Sequence, residues 1–316
     1  MNLPRSSFQT FMSQVLDYAG MYPPANLPLE EAFKNFIAYQ SDPNAWMLSR
    51  FVIPAKRLSE LPPFDEKISF TTLGRSGRDM DEFLANLNLD ISDIRAFGDS
   101  CKAATVDMYE VALPASSLTD KFSANDIVTR AADALNKNGI TVFFEAPFAV
   151  AQDKPFGEGW EMRADKLLRA LRKVKDKHVG FKLRTGGVIA DAFPSTEQIA
   201  WAIVQTREAG VPLKCTAGLH HPVRHFNTSV QTKMHGFLNV FAAAVLASVH
   251  GLSQPELQAI LEDEIAGNFV FDETGFGWNG LRVATSEIQR ARLFTTSFGS
   301  CSFDEPKEDL QAIKLL

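Results

Sequence analysis

From about residue 46 onward the apolar positions alternate between two rhythms. Short runs rich in Val, Ile, Phe and Thr, ending at Gly or Pro, predict strands at 48–54, 68–73, 105–113, 141–148, 179–185, 212–216, 268–274 and 293–298. Between them, apolar residues recur at helical spacing over 79–89, 125–138, 196–209, 234–249 and 285–292. Ser195 and Thr196 open the third of these helices and Gly210 stops it. Eight strands alternating with helices predict a single (β/α)8 barrel of TIM type over 46–316, with a doubly wound open sheet as the rival. Residues 1–45 read as an N-terminal helical extension packed on the barrel, carrying an aromatic, rigid turn at DYAGMYPP. The loops around 62–63 and 147–159 are expected to be long.

Two strands hold charge inside apolar runs. HVGFKLRTGGV and VPLKCTAGLHH carry Lys182 and Lys214, and end in the turns Thr185-Gly186-Gly187 and Thr216-Ala217-Gly218. Alternate strand residues face opposite sides. Val179, Phe181, Leu183, Leu213 and Cys215 then face covering helices, while Lys182, Arg184, Lys214 and Thr216 converge on the other face. Buried cations are costly unless paired, so such a cluster points to a site. If the two ammonium groups are neighbours in a dry rim, like charge and desolvation predict that one lysine titrates low and acts as a carbonyl nucleophile. In the plainer alternative both stay charged and pair with Glu145 and an acid on strand seven.

Glu145 shares a face with Phe143 and is expected to point into the barrel as the acid/base. Glu110 is a further candidate, and strand seven offers Asp272 or Glu273. His220, His221 and His225 follow strand six in GLHHPVRH, with Arg224 among them. A divalent metal on Glu145, Asp272 and His220 is the alternative to a cofactor-free site, although HxH, HExxH and Cys-rich spacings are absent. Anion anchors are expected at Arg184, Thr185, Gly186, Gly187, Thr216 and Arg224. Others are expected in the turns after the last two strands, at Gly275, Gly277, Ser297, Gly299 and Ser300. Gly275, Gly277 and Gly280 also have the GxGxxG spacing of a dinucleotide loop, with Trp278 crowding it. Cys301 is a remote nucleophile candidate, and no GxSxG occurs.

Composition narrows the classes. The chain has 316 residues, 45% of them apolar, enough for a large core. A net charge of −6 and the lack of a basic stripe exclude nucleic acid as the expected partner. Three scattered cysteines fit a reducing cytoplasm. No signal peptide or membrane span is read, since the most apolar stretch, 237–249, is too short to cross a bilayer.

The motifs DYAGMYPP, FKLRTGG, AGLHHPVRH and FGSCSFDEP resemble those of a group of bacterial (β/α)8-barrel-like proteins without an assigned activity, across nearly the whole chain. FKLRTGGV and LKCTAG also resemble the lysine-bearing strand ends of class I aldolases of the deoxyribose-phosphate aldolase type. That resemblance implies a Schiff base on one lysine and a pKa-lowering role for the other. The chain departs from it at Arg184, where that family has a small residue, and shows no match for the family's catalytic aspartate. Together these readings predict a cytoplasmic lyase, aldolase or isomerase acting on a small anionic carbonyl compound. The metal-dependent enzyme and a non-catalytic ligand-binding barrel are the alternatives. No nucleic-acid or membrane partner is expected, and a homo-oligomer is compatible with the chain.

Overall fold

The computed structural model describes residues 6–119, 123–149, 155–157 and 159–316. In chain order the first seven strands are β1 (Leu16–Tyr18), β2 (Leu48–Pro54), β3 (Ile68–Leu73), β4 (Ala104–Ala112), β5 (Thr141–Glu145), β6 (Val179–Arg184) and β7 (Leu213–Thr216). A hairpin follows, β8 (His225–Asn227) with β9 (Thr232–Met234). Then come β10 (Phe269–Phe271), β11 (Gly275–Trp278), β12 (Leu281–Ala284) and finally β13 (Thr295–Ser300). Strands β1 to β7 and β13 close into an eight-stranded barrel, every neighbouring pair parallel. Helices lie between most of the strands, as a (β/α)8 barrel requires.

The barrel closes differently from the sequence expectation at two places. The run 268–274 is not a barrel strand. Its core, β10, pairs antiparallel with β11, and β11 with β12, in a separate three-stranded sheet. The cause is local: Asn279 (φ 43°) and Gly280 (φ 85°) both adopt the left-handed conformation that a two-residue hairpin demands. This sheet packs on the N-terminal helix Ser6–Met12, through Phe271 against Phe8 and Phe11, each at 5.1 Å between ring centres. The missing barrel strand is β1, so the expected helical extension 1–45 contributes the strand that joins β2 to β13. Three residues, Leu16, Asp17 and Tyr18, are too few to show strand periodicity between two helices. Part of the expected long loop 147–159 lies outside the described residues.

Local signals explain the helices that cover the barrel. Thr196–Ala209 starts at a capping box, in which Ser195 Oγ accepts from the Gln198 amide (3.1 Å) and Gln198 Oε1 accepts from the Ser195 amide (3.0 Å). It stops at Gly210, left-handed at φ 67°. Phe237–His250 is buried all round from Phe237 to Ala247. Its neighbours are three helices, Thr196–Ala209, Gln254–Glu262 and Thr285–Phe294, as well as β12 and β13. Phe298 of β13 stacks on Phe237 at 5.2 Å. This helix starts three residues later than expected, because Met234 ends β9.

Candidate active site

The site begins with register. Glu145, Lys182 and Lys214 are direct partners across β5, β6 and β7, so their side chains leave the sheet side by side on its inner face. Phe181, Leu183 and Cys215, of opposite parity, are buried toward the helices. Asp17 from β1 and Glu110 from β4 enter the same interior and are almost wholly buried.

These side chains form one charge network. Lys182 Nζ lies 2.8 Å from Glu110 Oε2 and 3.2 Å from Glu145 Oε2. Lys214 Nζ lies 3.0 Å from Glu110 Oε1, touches Asp17 Oδ2, and contacts Met108 Sδ at 3.0 Å. Arg184 Nε reaches Glu145 Oε1 at 3.3 Å, and its guanidinium stacks 4.4 Å over the Phe148 ring. Asp17 also accepts from Thr71 Oγ1 (3.3 Å), Ser297 Oγ (3.2 Å) and the Arg50 amide (3.2 Å). Lys182, Lys214 and Arg184 thus face Asp17, Glu110 and Glu145, and Arg50 joins at 3.9 Å from Asp17 while paired with Asp107 (2.7 Å).

This arrangement reverses the expected titration of Lys182. Burial alone pulls its ammonium down, but Glu110 and Glu145 outweigh that and hold it above the ordinary lysine range. Burial alone would likewise raise Glu110, yet Lys182 and Lys214 hold it well below the ordinary carboxylate range. The two lysines do not confront each other across empty space, because Glu110 sits between them. A lysine nucleophile made by mutual repulsion is therefore not what the geometry supports.

Above the network opens a cavity of about 240 Å³. Glu110, Lys182, Arg184, Thr216, His220 and Cys301 line it, with Tyr22 from the turn after β1. Gly187 and Gly299 complete part of its wall. Lys214 is fully buried beneath and does not reach it. His220 Nδ1 lies 3.2 Å from Glu305 Oε2 and 3.7 Å from Cys301 Sγ. Burial disfavours the imidazolium, but Cys301 and Glu305 push its pKa up to about 9. His221 turns away to Asp309 (2.6 Å), and His225 packs edge-on against it at 4.4 Å.

Several expected site residues lie elsewhere. Asp272 pairs with Arg282 (2.6 Å) and its carbonyl accepts from Ser7, while Glu273 accepts from the Ser6 amide; neither lines the cavity. Gly275 and Gly277 are in β11, so the glycine-rich loop is a hairpin and not an anion cradle. The expected metal set therefore does not assemble. Among the described residues no three His, Cys, Asp or Glu come together as metal ligands. Arg224 turns to His235 Nδ1 (3.3 Å). Thr185 spends its hydroxyl on the carbonyls of Thr216 and Ala217. A Cβ on Gly186 would stand 2.8 Å from Gly218 Cα, so those glycines serve the close approach of two loops. Ser297 binds Asp17 in the interior, and Ser300 is held by the Ser302 carbonyl.

Three site residues were missed or underweighted in the sequence reading. Asp17 lies on the unrecognised β1. Glu110 was only a further candidate, although it bridges both lysines. Tyr22 was seen only as part of a rigid turn.

No protein-family model matches the chain, and comparison with curated proteins finds no match. Among solved structures, one described as the crystal structure of IolI protein with a binding zinc atom is similar at 11% identity. It covers 78% of this chain and 95% of that one, with a TM-score of 0.43. At that level the likeness carries no argument about the site. No helix among the described residues is long and apolar enough to cross a membrane.

Proposed function

We propose that the protein is an enzyme for a small anionic carbonyl compound, with Lys182 acting as a charged electrophile and not as a Schiff-base nucleophile. The supporting observation is the placement of Lys182. An ammonium has three donors. Glu110 and Glu145 take two, and the third is left for a carbonyl oxygen in the cavity. A fixed cation at that oxygen stabilises the enolate formed when a proton leaves the adjacent carbon. Glu110 is the proton acceptor, being the carboxylate partner of Lys182 that lines the cavity, while Glu145 fixes Lys182 and Arg184 from behind. Arg184 holds the anionic group through its two terminal nitrogens, which have no partner among the described residues. His220, protonated at neutral pH and braced by Glu305, supplies a proton. The reaction class is isomerase or lyase: a C–H or C–C bond breaks beside the carbonyl and the electron pair rests in the enolate.

Proton NMR in deuterium oxide tests the proposal without the natural substrate. Pyruvate, 2-oxobutyrate and dihydroxyacetone phosphate serve as probes, and wash-out of the protons next to the carbonyl is followed. Catalysed exchange is expected with at least one probe. Lys182→Met and Glu110→Gln should abolish it, and borohydride should fix no adduct. A borohydride-fixed adduct on Lys182 would restore the Schiff-base mechanism. Saturable binding without exchange would favour the non-catalytic barrel.

A further inference from the structure

Two residues that line the cavity beside Lys182 carry hydroxyls without a partner among the described residues. Tyr22 Oη and Thr216 Oγ1 are buried at its wall and make no hydrogen bond there. They come from unrelated places, the turn after β1 and the last residue of β7. Buried polar atoms left unpaired destabilise a fold, so an unpaired pair at the wall of one cavity points to an occupant that completes them. Thr216 is rigidly placed, because its carbonyl accepts from both the Thr185 amide (2.8 Å) and the Thr185 hydroxyl (3.2 Å). Burial, and then the nearby Glu110 carboxylate, raise the Tyr22 phenol above its ordinary range, so it remains a proton donor.

Charge narrows the occupant further. Around the cavity each cation already has a carboxylate: Lys182 and Lys214 share Glu110, Lys214 has Asp17, Arg184 has Glu145, and His220 has Glu305. Among the described residues that line the cavity, no cation is left without a carboxylate to meet a dianion. A phosphate monoester brings roughly 1.5 to 2 negative charges at pH 7. A carboxylate brings one, shared over two oxygens that neutral hydroxyls and the open edge of a guanidinium can bind.

We infer that the cavity is built for a compact 2-oxo monocarboxylate and not a phosphate ester, with the Tyr22 and Thr216 hydroxyls orienting the carboxylate while Lys182 takes the 2-oxo oxygen. This rests on the role proposed above for Lys182. It also makes Tyr22 and Thr216 binding residues, which set selectivity for the head group.

Thermal-shift titration of the full chain with pyruvate, 2-oxobutyrate, glycerol 3-phosphate and inorganic phosphate tests it. The two 2-oxo acids should raise Tm saturably and at lower concentration than either phosphate. Tyr22→Phe and Thr216→Val should each raise the half-saturating concentration at least tenfold, while their ligand-free Tm values stay at or above that of the unmodified protein. Tighter binding of a phosphate, or hydroxyl variants that bind as well as the unmodified protein, would overturn the inference. If the 2-oxo acids bind and only Lys182→Met and Arg184→Met weaken them, this inference fails and the Lys182 reading stands. If no carbonyl compound binds, both fail.

Discussion

Replacing Lys214 with Met tests the charge network most directly. Lys214 has no exposed surface, and its three donors go to Asp17, Glu110 and Met108. Methionine fills similar volume but leaves Asp17 without its lysine and Glu110 with Lys182 alone. Breaking a buried ion pair by removing one partner costs about 3–5 kcal/mol. In a chain of this size each kcal/mol moves Tm by about 1.5 °C, so the melt should fall by roughly 4–8 °C. The pH dependence carries a sign. Glu110 is depressed in the folded state, so its stabilisation is full above the unfolded carboxylate value near 4.3 and is lost as pH falls through the folded value. Removing Lys214 lets the folded Glu110 pKa rise. The deficit of the variant should therefore be full near pH 7 and narrow in acid, as pH falls through the raised Glu110 value toward about 2. Circular-dichroism melts across that range read both effects, and adding Glu110→Gln should recover part of the loss. A Tm change under 3 °C at pH 7, or a deficit that widens in acid, would refute the network as described.

Three further outcomes are expected. Phe241→Ala should lose about 3–5 kcal/mol in denaturant unfolding, because the ring is buried between Phe298 at 5.7 Å and Phe11 at 6.4 Å. Gly210→Ala should cost about 1–2 kcal/mol by the same measurement, since a Cβ is disfavoured at its left-handed φ of 67°. The His220 imidazole should titrate near pH 9 by NMR and fall in Glu305→Gln; its raised value means that its contribution to stability is full below the unfolded value near 6.5 and is lost as pH rises through 9.

How much was legible follows from the length of each signal. Lys182, Arg184 and Lys214 could be placed together because a period of two over 179–185 and 212–216 leaves only one face for them, and the observed register pairs Lys182 with Lys214. Glu145 was legible for the same reason. Asp17 was not, because β1 has only three residues and its strand character comes from pairing with β2 and β13. The run 268–274 looked like a barrel strand because it alternates correctly; the deciding signal was Asn279-Gly280, a hairpin turn that was read as part of a glycine-rich loop. The low Glu110 pKa also depended on what a single sequence hides. Parity shows that Glu110 can point inward, but not that it lands between two lysines from strands two and three places away.

The graded exposure of the three cations argues that the network serves a site and not the barrel alone. Interior ion pairs are a poor way to stabilise a fold, since well-packed apolar side chains of similar volume often do better. A structural network would be expected to use its donors equally. Here use falls off toward the mouth. Lys214 is fully buried and spends every donor on the protein. Lys182 is slightly exposed and, among the described residues, gives two donors to carboxylates. Arg184 is 31% exposed in its side chain and, among the described residues, commits Nε alone. Each cation fixes the carboxylate that orients the next: Lys214 and Lys182 share Glu110, and Lys182 and Arg184 share Glu145. The deeper charges thus hold the shallower ones rigid, and the unspent donors end on the cavity whose wall holds the Tyr22 and Thr216 hydroxyls, also without partners among the described residues.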